Sequence, residues 1–285
     1  MMQINEIILK VAETVVRAST VYTEAHFRKL EEYIAKEDNP NAKWVLEQIV
    51  KNAQIAEKEK RPLCDDTGTP HIFIELGSSK AISADMMDAI HAGLAEGLRL
   101  LPGRPMAVLG DDAQRIEQSA GLDEDPSALV SAPIFIKSVP DEHIKLHVLM
   151  QGGGPEIRGK TYRVFHKHSI DALMDEVLSW AGESASLLGC TPCAPAIGIG
   201  RSHYEASALM LEAMAYADYA RQSDLERSFT DRLNACKVGP LGLGGNTTAL
   251  ASFIKVGPQR ASGIRVVCLR LCCIVEPRVA SAVIG

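Results

Sequence analysis

The sequence predicts an α+β fold, read as one compact domain over residues 1–285 with several helices packed on mixed β-sheet. Three observations carry that prediction. Apolar residues recur at helical spacing in several segments, beginning with Ile7, Ile8, Val11, Val15 and Val16. The segment "HIKLHVLM" alternates instead with a period of two, which puts Ile144, Leu146, Val148 and Met150 on one face of a strand. No internal repeat, low-complexity stretch or clear linker interrupts the 285 residues, a length able to bury a sizeable core.

The elements follow in order. After the first helix, Trp44, Val45, Ile49, Val50 and Ile55 mark a second, which fades into the solvated run "EKEKR". The turn "PLCDDTGTP" (62–70) precedes a short strand, "HIFIEL". In that turn Asp and Thr side chains can bond nearby backbone, and Gly68 permits a positive φ. Residues 83–100 read as a helix capped by Ser83. Residues 101–128 are rich in Pro, Gly and Asp and read as an irregular surface segment. "APIFIKSV" and "HIKLHVLM" are strands, and the second runs into the glycine run "QGGGPEIRGK". A helix over 169–181 leads to "GCTPCAPAIGIG", two helices cover 203–236, and "GPLGLGGNTTAL" precedes strands near 249–256 and 263–271.

Composition narrows the function. Nearly half the residues are apolar and about a quarter are charged, as in a globular protein. A net charge of −6 gives no support to nucleic-acid binding, but leaves room for an anionic substrate, because the field in a site is local. Glu6, Lys10 and Glu13 interrupt the first apolar stretch, so it reads as an amphipathic helix and not a secretory signal. No run of about 18 apolar residues suggests a membrane span. A cytoplasmic location is expected.

The seven cysteines are odd in number and unevenly spaced, which argues against a disulfide framework. Cys236 and Cys268 read as buried small apolar residues. The other five sit at element ends: Cys64 between a helix and a strand, Cys190 and Cys193 before "APAIGIG", Cys272 and Cys273 after "GIRVVCLRL". Cys190 and Cys193 form half of a zinc pattern whose second half is missing. One thiol from each place makes three, a number that suits a four-iron cube with one open iron. Spacing alone leaves an iron–sulfur site, a zinc site and plain thiols all open. The runs at 151–154 and 242–248 could cradle an anion or be simple turns. "GIGRSH" fails the dinucleotide fingerprint, since His203 stands where the last glycine belongs.

Taken together these segments resemble one family, the iron–sulfur class I fumarases and the related L-tartrate dehydratases, and specifically their α-subunit or N-terminal catalytic half. "PLCDDTGTP" resembles that family's P-x-C-Q-D-T-G, "GCTPCAPAIGIG" its N-x-C-P-P-x-x-x-G-x-G, and "GPLGLGGNTTAL" its G-P-Q-G-L-G-G-x-T-T-A-L. The end of the last strand resembles its third cysteine turn. The resemblance implies that Cys64, Cys193 and Cys272 hold a [4Fe-4S] cluster. It implies reversible addition of water to a small dicarboxylate, with fumarate first, L-tartrate or mesaconate next, and an inactive metal-binding paralogue as the alternative. Asp66 matches an acid that works near the cluster, Arg104 falls where a substrate-binding arginine is expected, and Gly152, Gly153 and Gly154 match a glycine-rich turn that helps bind substrate.

Three departures bear on the site, one of them Glu156, where family members tend to have small polar residues. Asp65 stands where the family has Gln, and an anion there repels a dianionic substrate unless it is protonated or paired. Arg260 stands where it has His, replacing a titratable group by a permanent cation. Pairing of Asp65 with Arg260 would reconcile the two. Family enzymes of one chain continue into a second domain that supplies the catalytic base. No such domain follows Gly285 here, so the resemblance predicts a separate β-subunit, an oligomeric assembly and little activity for this chain alone.

Overall fold

The computed structural model describes residues 3–104 and 106–285; Met1, Met2 and Pro105, the last beside Arg104, lie outside the described residues. In chain order the elements are α1 (Ile4–Thr20), α2 (Glu24–Lys36), α3 (Pro40–Glu59), β1 (Thr69–Gly77), α4 (Ala84–Leu100), α5 (Asp112–Glu117), β2 (Phe135–Val139), β3 (Ile144–Gln151), α6 (Gly153–Glu156), β4 (Lys160–Phe165), α7 (Ile170–Leu188), β5 (Ala196–Gly200), α8 (His203–Ala215), α9 (Asp224–Asn234), β6 (Phe253–Val256), β7 (Ile264–Arg270) and β8 (Arg278–Val283). The α+β class is as expected. The chain forms two compact units: residues through Val21 with Ile55–Gly152 and Arg278–Gly285, and Tyr22–Gln54 with Gly153–Pro277.

The first unit is a four-stranded mixed sheet in the order β2-β1-β3-β8, with β1 parallel to β2 and β3 antiparallel to β1 and β8. One face carries Ile72, Ile74, Ile144, Leu146, Val148 and Met150, the alternation legible in the sequence. Ile7, Val11 and Val15 of α1 and Ile90, Leu94 and Leu98 of α4 pack on that face. The two helices cross closely because α4 offers Gly97 there: a Cβ at this position would lie 2.6 Å from that of Val15. Ser83 caps α4 by accepting from Met86 N–H. The described residues of 101–128 are mostly exposed and include the short α5, an isolated antiparallel bridge between Val108 and Leu122 and the start of a 3₁₀ turn.

The second unit holds the sheet β4-β7-β5-β6, in which β7 is antiparallel to β4 and β5, and β5 is parallel to β6. Leu173, Met174, Val177 and Trp180 of α7 pack with Phe229 and Leu233 of α9 against Val164, Ile197, Val267 and Leu269 of this sheet. Helix α8 also packs on β5. It comes so near that a side chain at Gly198 would run into the Ala206 carbonyl and the Met210 N–H. Sequence patterning gave no separate strand at β4, β5 or β8 and no helix at α2. Among the described residues no helix is long and apolar enough to cross a membrane.

Candidate functional site

Each unit carries part of the predicted residue set. In the first, β1 and β3 run antiparallel with Thr69 opposite Gln151, and β8 starts with Arg278 opposite Met150. The turn before β1, the glycine run after β3 and the start of β8 therefore share one sheet end. The turn is tightly held. Gly68 N–H donates to Asp66 Oδ1 at 3.1 Å, an Asx turn, and Gly68 takes φ +78. Leu63 N–H donates to the Ser19 carbonyl at 2.9 Å. Gly152 lies against Asp66, where a Cβ would come 2.8 Å from Oδ2. These contacts join Asp66 to the glycine run at Gly152.

Cys64 is partly exposed, and its Sγ lies 3.5 Å from Asp65 Oδ1. Burial pushes its thiol pKa up and Asp65 adds to that, while the Asp66 N–H and the Arg278 guanidinium oppose the rise. Asp65 has a cation, but it is Arg104, at 3.5 Å with both side chains largely exposed. This ion pair brings Arg104 to the cysteine turn. Such an exposed pair contributes little stability.

Arg278, which the sequence reading did not single out, is the buried cation of this turn. It is 2% exposed; its Nε donates to the Met150 carbonyl at 3.1 Å and its Nη1 to the Asp66 carbonyl at 2.8 Å. No local signal betrays it, since its partners lie more than a hundred residues away in sequence.

The second unit brings together Cys193, Cys272 and the threonine motif. β5 and β7 are antiparallel, so the residues before β5 and after β7 meet at one end. β6 is parallel to β5, so the segment before β6 joins them. The result is a run of backbone bonds. Cys193 N–H donates to the Thr248 carbonyl at 2.8 Å, Leu250 N–H to the Cys193 carbonyl at 2.9 Å, and Ala194 N–H to the carbonyls of Leu271 at 3.2 Å and Cys272 at 2.9 Å. Both Cys193 and Cys272 are fully buried, and Cys272 sits at φ +34, an uncommon conformation for a residue with a Cβ. Burial holds both thiols well above their ordinary pKa, and Cys273 adds to the rise at each. Arg270 counters it at Cys272. Arg270 is itself buried, bonded to Glu276 at 3.1 and 3.2 Å and to Glu156.

Cys268 is buried as read, but Cys236 is exposed: it follows the end of α9 and its Sγ lies 3.7 Å from Thr248 Oγ1. The run at 242–248 does bind an anion, and that anion is the chain's own Glu37. The Glu37 carboxylate accepts from Asn246 N–H at 2.9 and 3.0 Å and from Thr247 Oγ1 at 2.7 Å. Burial raises the Glu37 pKa, but these donors outweigh it and the net shift is downward. Gly153 and Gly154 open the one-turn helix α6. Arg260 lies in the exposed loop before β7, whereas Cys272 follows β7. Seven strand residues separate the two ends by roughly 20 Å. Within this unit Arg260 is therefore not brought to the thiols.

The donors suit an iron–sulfur cluster. All three candidates are thiols, the ligand type such clusters take, and a bound cation would reverse the preference of the buried thiols for their neutral form. Among the described residues no group of three or more His, Cys, Asp or Glu side chains is gathered to hold a single metal ion. A cube, by contrast, takes one thiolate per iron.

Comparison with known proteins gives concordant results. The family model described as "Fumarate hydratase (Fumerase)" matches residues 8–282. A Methanocaldococcus jannaschii protein named "Putative L(+)-tartrate dehydratase subunit alpha" is 27% identical over 277 residues, covering 92% of this chain and 94% of that protein. The "L(+)-tartrate dehydratase subunit alpha" of Escherichia coli K12 and that of Shigella boydii are each 24% identical over 273 residues, covering 92% of this chain and 86% of theirs. With nearly its whole length matched, and with the motif turns gathered at sheet ends, the chain belongs to the class I fumarate hydratase family of hydro-lyases.

Proposed function

We propose that this chain is the α-subunit of a [4Fe-4S]-dependent hydro-lyase that reversibly adds water to a small dicarboxylate, with fumarate and malate as the substrate pair. Residues 1–285 act as one catalytic subunit, and a separate β-subunit supplies the catalytic base. The names of the relatives, all α-subunits, support that division. The observation that carries the reading is the Ala194 N–H shared by the Leu271 and Cys272 carbonyls, which sets the turns of two candidate ligands edge to edge.

Cys64, Cys193 and Cys272 would hold the cluster, which would supply Lewis-acid chemistry to the substrate hydroxyl. Arg104 and the backbone N–H groups at Gly152, Gly153 and Gly154 bind the substrate carboxylates. Asp65 keeps Arg104 beside the cysteine turn at 3.5 Å and offsets part of its charge. Asp66, set by the Asx turn, accepts the hydrogen bond of the substrate hydroxyl. Arg260 is left out of this set because it lies beyond the far end of β7.

A second reading, L-tartrate as substrate, is favoured by the names of the relatives. One experiment tests both. The chain is purified anaerobically with and without a co-expressed β-subunit, iron and sulfide are measured, and fumarate, malate, L-tartrate and mesaconate are assayed. Iron, sulfide and water addition to fumarate in the co-expressed preparation are expected. Selective turnover of L-tartrate would move the assignment to the second reading. Absence of iron and sulfide from both preparations would sink the cluster.

A further inference from the structure

We propose that Arg278 is the positioning residue of the cysteine turn: its buried guanidinium fork fixes the turn so that the Cys64 thiol and the Asp66 carboxylate keep one mutual orientation. The catalytic meaning of that orientation rests on the hydro-lyase reading, but the positioning itself does not.

The geometry is that of a two-pronged clamp. Nη1 donates to the Asp66 carbonyl at 2.8 Å, inside the turn, while Nε donates to the Met150 carbonyl at 3.1 Å, on the central strand β3. One rigid planar group thus ties a turn to a strand whose hydrogen-bonding position is already set by β1 and β8. Two glycines make room for it. A Cβ on Gly68 would lie 2.6 Å from Nη2 and 2.7 Å from the Gln151 carbonyl oxygen, and one on Gly152 would lie 3.4 Å from Nη2 and 2.8 Å from Asp66 Oδ2. The left-handed φ of Gly68 and the bare Cα of Gly152 are thus both matched to the guanidinium and to the carboxylate it borders. Lysine could keep the charge, but a single ammonium on a flexible stem cannot hold the two carbonyls in the fork's fixed geometry. Arg278 touches no reacting atom in this arrangement; it acts through the turn.

The test compares Arg278→Lys with the native chain, and adds Arg278→Met to remove both prongs and the charge. Each metal-free chain is treated with iodoacetamide at one pH, and alkylation of every cysteine is followed by peptide mass mapping. The exposed Cys190 and Cys236 serve as internal standards. Circular dichroism and thermal unfolding verify that Arg278→Lys stays folded. Expected is an increase of about tenfold in Cys64 alkylation relative to those standards, the weight of one charge-assisted hydrogen bond. In the co-expressed, cluster-loaded enzyme kcat should fall by a similar factor while KM changes little, since substrate-carboxylate groups are untouched. A folded Arg278→Lys whose Cys64 reacts at the native rate overturns the proposal, whatever happens to Arg278→Met. Faster Cys64 alkylation in a protein without hydratase activity on any substrate would uphold the clamp and count against the hydro-lyase reading alone.

Discussion

At the scale of single residues, His26 has a definite consequence for stability. It lies in α2, fully enclosed, stacked between Tyr22 at 4.0 Å and Tyr219 at 4.3 Å. Its Nε2 is buried without a hydrogen-bond partner, and burial pushes its pKa down to about 3. Both tyrosines brace the segment after Cys272: Tyr22 Oη donates to the Ile274 carbonyl at 2.9 Å and Tyr219 Oη to the Glu276 carbonyl at 3.3 Å. Because the folded pKa is depressed, the unfolded chain binds the extra proton between about pH 6.5 and about pH 3. The His26 contribution is therefore complete above about pH 6.5 and is lost as pH falls towards 3, by about 3 kcal/mol between about pH 6.5 and 4. Attraction of an imidazolium to the two rings returns about 2 kcal/mol or somewhat more, less than the several kcal/mol that enclosing a charge costs. Urea unfolding at about pH 7 and about pH 4 should show a steeper acid loss in the native chain than in His26→Phe; equal slopes would count against the assignment.

At the scale of elements, glycine has opposite meanings in β5 and α7. Gly198 lets α8 lie on β5, and the atoms a methyl would meet there are backbone, which cannot rotate away. Gly198→Ala should therefore destabilise by about 3 kcal/mol or more, or prevent folding. Gly182, inside α7, faces open space: apart from the nearby backbone of its own helix, a methyl added there would find no atom within 4 Å. Gly182→Ala should instead stabilise by about 0.5–1 kcal/mol, through helix propensity and a less flexible unfolded chain. Thermal unfolding of the pair checks both signs, and a shift in the same direction for the two would contradict this packing. The same glycines show why some elements escaped a reading of the sequence. "AIGIG" is short and has glycine at every second position, because helix contact demands Gly198, so Ile197 and Ile199 alone signal the strand weakly, whereas Ile144 to Met150 alternate over a longer run because one face meets the α1 and α4 core. The site divides likewise. Thiols and glycines in turns were legible from local chemistry and resemblance, but Arg278, Arg270 and the Glu37 carboxylate were not, because partners far apart along the chain define them.

At the scale of the whole molecule, the cluster assignment makes a demand on all seven cysteines at once. The sequence offers more thiols than three ligands need, and nearness alone does not choose among them, since Cys236 and Cys273 both raise the Cys193 pKa. Exposure and backbone support do discriminate. Cys193 and Cys272 are buried and bonded through their backbones to neighbouring turns, and Cys64 follows a residue anchored to Ser19. Cys190 and Cys236 are exposed, while Cys268 lies within β7 and its Sγ accepts from Thr161 Oγ1 at 3.1 Å. Serine at position 64, 193 or 272 should remove most of the iron bound per chain after anaerobic reconstitution. Serine at 190, 236 or 268 should leave it near the native level. Because a cluster bound only to the folded chain stabilises it by mass action, iron chelation should lower the unfolding temperature of the native protein. The same chelation should not move the unfolding temperature of Cys193→Ser, which has no cluster to lose. Full iron content in Cys64→Ser, Cys193→Ser or Cys272→Ser would remove that residue from the ligand set, and Cys273, next to Cys272 and only partly buried, would be the first replacement to test for the third position.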